Sequence, residues 1–196
     1  MASVSAPPPG IADPSRRTLT NPVMKDKVTF TRYSAETGGQ STHFRVTVAP
    51  GGGPPLHYHD TYTETFRPLV GITTIHLNGA AILLHPGTSD AVTVPLAKVH
   101  DFKNETDQDI ELEGELNPGS EGFEKSIYVL YGLARDGRCN SDGTPKGFVE
   151  NCLAFEMGDM RLPGVMGTVG VPIIKATVRF ARWMRWEREL VERYWL

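Results

Sequence analysis

His57 and His59 stand one residue apart in the run GGGPPLHYHDTYTETFRPLVG, and Glu64 follows five positions after the second. In an extended strand, residues two apart point to the same side, so both imidazoles can face inward while Tyr58 faces out. A turn or bulge between Asp60 and Thr63 would carry Glu64 back to that side, adding an anionic oxygen to two borderline nitrogens. Such a mixed set suits first-row divalent metals. A lone His-x-His pair also fits polar residues of an ordinary strand, so a second block is needed. The run TVPLAKVHDFKN offers one: Pro95 precedes an apolar-flanked His100, and Asn104 follows four positions later near a turn.

Short strands must position these side chains. From Lys25 to about Leu133 the chain divides into strand-like runs separated by turn clusters: VTFTRYSA, STHFRVTVAP, HYHDTYTETFRPLV, GITTIHLNGAAILLHPG, DAVTVPLAKVHDFKNET, DIELEGELNPG and KSIYVLYGLA. Phe44, Val46 and Val48 alternate with Arg45 and Thr47, and Asn78-Gly79 is a strong hairpin signal. The expectation is an antiparallel all-β barrel or sandwich over residues 25–133. Residues 1–24, rich in Pro, Ser and Ala, read as a flexible N-terminal arm. Residues 134–196 read as a polar loop, RDGRCNSDGTPKG, followed by a helical extension through FVENCLAFEM and VPIIKATVRFARWMRWERELVERYWL.

Composition narrows the function classes. A chain of 196 residues supports one core with appendages, and a net charge of −3 provides no long-range field to gather nucleic acid. Cys139 and Cys152 are too few for a disulfide framework and read as reduced, packed thiols. The start MASVSAPPPGIADPSRR has no basic stretch leading into an apolar one, so a cytoplasmic location is expected.

The two blocks together resemble the cupin superfamily, whose motifs are Gly-x5-His-x-His-x3-4-Glu-x6-Gly and Gly-x5-Pro-x-Gly-x2-His-x3-Asn. Gly51, His57, His59, Glu64 and Gly71 fit every fixed position of the first. Pro95, His100 and Asn104 fit the second, whereas Ala97 and Ser89 stand where glycine is usual, with Gly87 two residues early. Because a Cβ penalises positive φ, Ala97 predicts a turn without a strongly left-handed residue and a reshaped hairpin. The resemblance covers about residues 40–130. It implies a cupin jelly roll (double-stranded β-helix) in which His57, His59, Glu64 and His100 hold one divalent transition metal, iron(II) first, then manganese(II), nickel(II) or zinc(II).

That ligand set leaves metal positions open to substrate or water, as catalytic sites do. The resemblance therefore implies an enzyme acting on a small organic molecule: a non-haem iron dioxygenase, or a redox-neutral isomerase, cyclase or decarboxylase with Glu64 as catalytic base. A non-catalytic binding cupin is the rival from another class. Pocket candidates are Phe66 and Phe102, two residues from ligands, with Arg45, Tyr62 and Tyr128 as polar groups, and His43 and Tyr131 beside them. Each also fits a packing or surface role. His76 and His85 read as strand-end residues, and Arg135, Asp136, Arg138 and Asp142 as charges of a loop that could cover a barrel mouth. Six basic and three acidic residues from Val171 onward, with Trp183, Trp186 and Trp195, fit either an amphipathic helix on a membrane surface or one packed on the barrel or a second subunit. Cupin edge strands often pair, so a homodimer is expected.

Overall fold

The computed structural model describes residues 7–88, 91–164 and 170–196. Its strands are β1 Thr18–Asn21, β2 Asp26–Arg32, β3 Thr42–Val48, β4 Thr63–Val70, β5 Thr73–Leu77, β6 Ala80–Leu84, β7 Val92–Val94, β8 His100–Lys103 and β9 Ile110–Asn117. Its helices are α1 Pro9–Ala12, α2 Glu121–Arg135, α3 Phe148–Met157, α4 Val171–Trp183 and α5 Trp186–Tyr194. One six-stranded sheet runs β1-β2-β3-β9-β4-β7 and a three-stranded sheet runs β6-β5-β8, with every pairing antiparallel.

Strand alternation sets the two faces of the larger sheet. Val28, Phe30, Phe44, Val46, Val48, Glu64, Phe66, Leu112 and Leu116 are buried on one face, while Lys27, Arg45 and Arg67 are exposed on the other. Asn78 and Gly79, both with positive φ, make the tight turn between β5 and β6 that their sequence predicts.

Three expectations are corrected. The class is not strictly all-β, and the run KSIYVLYGLA is helix α2 rather than a strand. Its β-branched and aromatic residues imitate a strand, but Ser120 caps the helix by accepting the Phe123 N–H, and Glu121 and Glu124 lie in the first turn. Phe123, Ile127, Leu130, Tyr131 and Ala134 then recur at helical spacing against the sheet, with the Phe123 ring 5.5 Å from Phe44 and Tyr128 stacked 5.9 Å from Phe30.

Residues 7–24 are not a loose arm, for they contain α1 and β1, which extends the large sheet through Thr18–Asn21 paired with Asp26–Thr29. The Arg17 guanidinium donates to the carbonyls of Gly10, Phe30 and Thr31 and pairs with Glu36 at 2.6 Å. Arg16 donates to the carbonyls of Tyr194, Trp195 and Leu196, clasping the two ends of the chain together. A Pro-, Ser- and Ala-rich sequence without apolar periodicity gave no sign of this, because the gain comes from carbonyls far away in sequence.

The C-terminal segment is two helices, broken where Arg185 adopts a left-handed φ of 66°. Its apolar residues therefore divide: Leu190, Tyr194 and Trp195 are buried, whereas Ile173, Phe180, Trp183 and Met184 are exposed. The Trp195 ring packs edge-on against Tyr33 and Tyr128.

Candidate metal centre

His57 and His100 form a directly opposed antiparallel pair, each N–H donating to the other's carbonyl at 3.0 and 2.8 Å. Residues so opposed project their side chains to the same face, and the two ring centroids are 4.4 Å apart. His59 follows on that face two residues later, its ring 4.8 Å from His57. Glu64 enters from β4, near the start of the strand and opposite Val94 and Leu116. One ligand atom from each of His57, His59, Glu64 and His100 lies within 4.8 Å of the others, and all four residues are buried.

Backbone carbonyls fix the orientation of the imidazoles. Nδ1 of His57 donates to Pro55 O at 2.8 Å, Nδ1 of His59 to Asp159 O at 3.0 Å and Nδ1 of His100 to Lys98 O at 2.8 Å. Each ring thus keeps Nε2 for the interior, the arrangement that holds metal-binding histidines in one tautomer.

Charge in the cluster is concentrated on one pair. Nε2 of His100 is 2.8 Å from Glu64 Oε2, and Nε2 of His59 is 3.3 Å from the same oxygen. Burial would raise the Glu64 carboxyl, but attraction to His59 and the hydrogen bond from His100 hold it well below the usual carboxylate range. Burial works against a charged His100 as well, yet its bond to Glu64 raises it above the ordinary histidine value. His57 is pushed down to about 3, by burial first and then by the neighbouring histidines, so it is neutral at physiological pH as a ligand must be. His59 Nε2 is buried and, although 3.3 Å from Glu64 Oε2, makes no well-aligned hydrogen bond. An orphaned imidazole nitrogen facing a carboxylate and two further imidazoles fits a divalent cation.

The turn that returns Glu64 to this face is held from outside the strand. Asp159, in the segment after α3, accepts the N–H groups of Asp60 and Thr61 and the Thr61 hydroxyl on Oδ2, at 2.7–2.8 Å. Tyr58 and Arg161 exchange backbone hydrogen bonds of 2.9 Å, and Arg161 also pairs with Glu156, Asp159 and Asp60. Asp159 and Arg161 lie about a hundred residues from His57, His59 and Glu64, and no local sequence signal marks them.

The other expected residues separate into two groups. Tyr62, Phe66 and Phe102 border the centre: Tyr62 lies 4.4 Å from His59 and donates to Gly158 O, and Phe66 packs against His100 and Phe102. Arg45 and Tyr128 do not. Arg45 has the outward parity of β3 and meets Glu113 at 3.4 Å, while the Tyr128 hydroxyl, on α2, bonds Tyr33 and the Arg16 carbonyl. His43 bonds Ser41, and Tyr131 bonds Asp26. His76, within β5, is 2.6 Å from Asp101, and His85 is exposed after β6.

Asn104 is a structural knot, its amide donating to Val48 O and Gln108 O and its oxygen accepting from Thr106. Ala97 has a φ of 58°, contrary to the reshaped turn its Cβ predicts. Its N–H donates to His59 O at 2.7 Å, which holds the left-handed turn against the steric cost. Ser89 lies outside the described residues. Loop charges are satisfied at the helical end: Asp136 bonds Arg193 and Tyr194, Arg138 pairs with Glu150, and Asp142 accepts from Thr144. Cys139 and Cys152 are buried free thiols.

All four ligand residues fall inside residues 44–114, which match the family model described as "Cupin domain". Residues 44–114 are a cupin domain. Among solved structures this cupin is similar to a predicted oxalate decarboxylase from Thermotoga maritima at 19% identity, covering 47% of this chain and 80% of that one with a TM-score of 0.45. It is also similar to a sugar phosphate isomerase from Silicibacter pomeroyi, at 21% identity over 48% and 61% of the two chains with a TM-score of 0.42. The polyketide cyclase RemF from Streptomyces resistomycificus is 18% identical over 47% and 65%, with a TM-score of 0.42. No curated protein matches the chain. Among the described residues, no helix of this cupin is long and apolar enough to cross a membrane.

Proposed function

We propose that this cupin is a metal-dependent enzyme acting on a small organic molecule, with iron(II) held by His57, His59, Glu64 and His100 and a dioxygenase-type reaction. The carrying observation is the convergence of four buried ligand atoms within 4.8 Å, with each Nδ1 engaged by a carbonyl and His59 Nε2 orphaned. A bound divalent metal would supply Lewis acidity toward substrate oxygens and, as iron(II), a site for dioxygen chemistry. The protein's own part is to present three imidazoles in fixed orientation and an ionised carboxylate, and to set the aromatic walls Tyr62, Phe66 and Phe102 around them.

The state of Glu64 bears on the choice of reaction. A carboxylate engaged as a metal ligand is a poor proton acceptor, so a reaction that asks nothing more of Glu64 than ligation is preferred here over an isomerase or cyclase that needs it as base. The test is metal analysis of protein purified without chelator, with oxygen uptake measured on phenols, diketones and polyketide-like acids. Iron together with substrate-dependent oxygen consumption is expected. Turnover without oxygen would replace the dioxygenase with a redox-neutral reaction, and full metal retention in both His57→Ala and His100→Ala would reject the ligand set.

A further inference from the structure

Helix α4 carries little of its apolar surface inward. Ile174, Val178 and Ala181 share the face turned to the protein, and of these Val178 and Ala181 are buried. At ~100° per residue, Pro172, Ile173, Ala176, Phe180 and Trp183 form an arc on the opposite side. Ile173 is 62% exposed, Phe180 50% and Trp183 76%, a larger display of apolar side chains than a solvated helix face needs. The arc continues past the break at Arg185: Met184 is 40% exposed, and Trp186 packs 5.8 Å from Phe180, which also contacts Trp183 at 5.8 Å.

The charge along α4 has one sign, with Arg182 alone of its cations met by an acid, Glu187 of α5. Residues 171–186 contain Lys175, Arg179, Arg182 and Arg185 and no acidic residue, in a chain whose net charge is −3. Lys175, Arg179 and Arg182 lie along one flank of the arc, and among the described residues Lys175, Arg179 and Arg185 take part in no ion pair. A second copy docked antiparallel on this face about a twofold axis would set the same cations against one another. An anionic bilayer surface is complementary instead: tryptophan and phenylalanine enter the interface, and the basic flank meets the headgroups.

We propose that the outward face of α4 and the turn into α5 dock this cupin on an anionic lipid bilayer, lying in its surface without crossing it. The substitutions that probe it must be local, because Leu190, Tyr194 and Trp195 are core residues and removing the C-terminal segment would expose the core.

Flotation of the full chain with vesicles of phosphatidylcholine containing about 30 mol% phosphatidylglycerol, against phosphatidylcholine alone, tests the surface. Partitioning on the order of tenfold stronger on the anionic vesicles is expected, falling as salt rises. Phe180→Ser/Trp183→Ser and, separately, Lys175→Glu/Arg179→Glu should each abolish the difference, with far-UV circular dichroism unchanged. Absence of partitioning onto anionic vesicles, or undiminished partitioning by both folded variants, overturns the proposal. So does conversion of a dimer to a monomer by Phe180→Ser/Trp183→Ser, measured by light scattering, since the face would then belong to a second copy.

Discussion

Nδ1 of His59 donates a 3.0 Å hydrogen bond to the carbonyl oxygen of Asp159, a residue one hundred positions further along the chain. The same Asp159 ties down the Asp60–Thr61 turn through its carboxylate, so one residue of the C-terminal extension orients a candidate metal ligand and sets the return of the strand carrying Glu64. It does so with a left-handed φ of 49°, which aspartate tolerates better than most residues.

Asp159→Ala removes three hydrogen bonds from that turn and should weaken metal binding by ~10–100-fold, the usual effect of losing a group that positions a ligand. Asp159→Asn retains an acceptor at Oδ1 and should recover most of the loss. Chelator competition with zinc as the probe measures both. Equal affinity for Asp159→Ala and the unaltered protein would mean that the turn holds without this residue.

Metal uptake should release a proton at neutral pH. In the metal-free cluster His100 donates from Nδ1 to Lys98 O and from Nε2 to Glu64, and its raised pKa keeps that second proton in place. A cation at Nε2 must displace it, so affinity falls as pH falls below the His100 value. Zinc addition in weak buffer with an indicator dye should register about one proton per site. Glu64→Gln removes the carboxylate that raises His100, and should bind zinc more weakly with much less proton release.

Ala97→Gly should stabilise the protein by about 1 kcal/mol, because Ala97 sits exposed at a φ of 58° where a Cβ is penalised. Part of that gain is offset by the greater freedom of glycine in the unfolded chain. Urea unfolding reads the net result, and a loss of stability would show that the turn is not strained.

Stability should decline as pH rises from about 4.5 to about 7. Burial raises Glu124 and Asp26 to about 7, and each has one carboxylate oxygen without a partner, Oε2 of Glu124 and Oδ1 of Asp26. Across that window the folded protein keeps protons that the unfolded chain has released, so the folded state loses ground until both groups ionise, after which the two carboxyls add no further slope. Glu124→Gln preserves the acceptor for Ser34 N–H and the Thr42 hydroxyl and should remove one carboxyl's share of the decline, leaving Asp26 set against the opposite, rising contribution of the depressed His57 below about pH 6.5. Urea midpoints at the two ends of the range decide it; an unchanged slope would show that Glu124 does not carry it.

The sequence by itself marked the four candidate ligands, through their motif spacing, and the hairpin at Asn78-Gly79. Alternation in a strand fixes the facing of His57 and His59, and Asn78-Gly79 admits a tight left-handed turn whatever surrounds it. These are short-range consequences of backbone geometry, and they survive folding because nothing distant needs to agree with them.

Tertiary structure decided whatever depends on a remote partner. It made KSIYVLYGLA a helix, because Ser120 caps it and its apolar spacing meets the sheet at Phe30 and Phe44. It drew β1 onto the sheet edge, and it turned Arg45 outward while burying Tyr128 against Tyr33 and Trp195. It also placed Asp159 beside His59, where burial and hydrogen-bond geometry, set by contacts a hundred residues apart, govern how the candidate ligands are held.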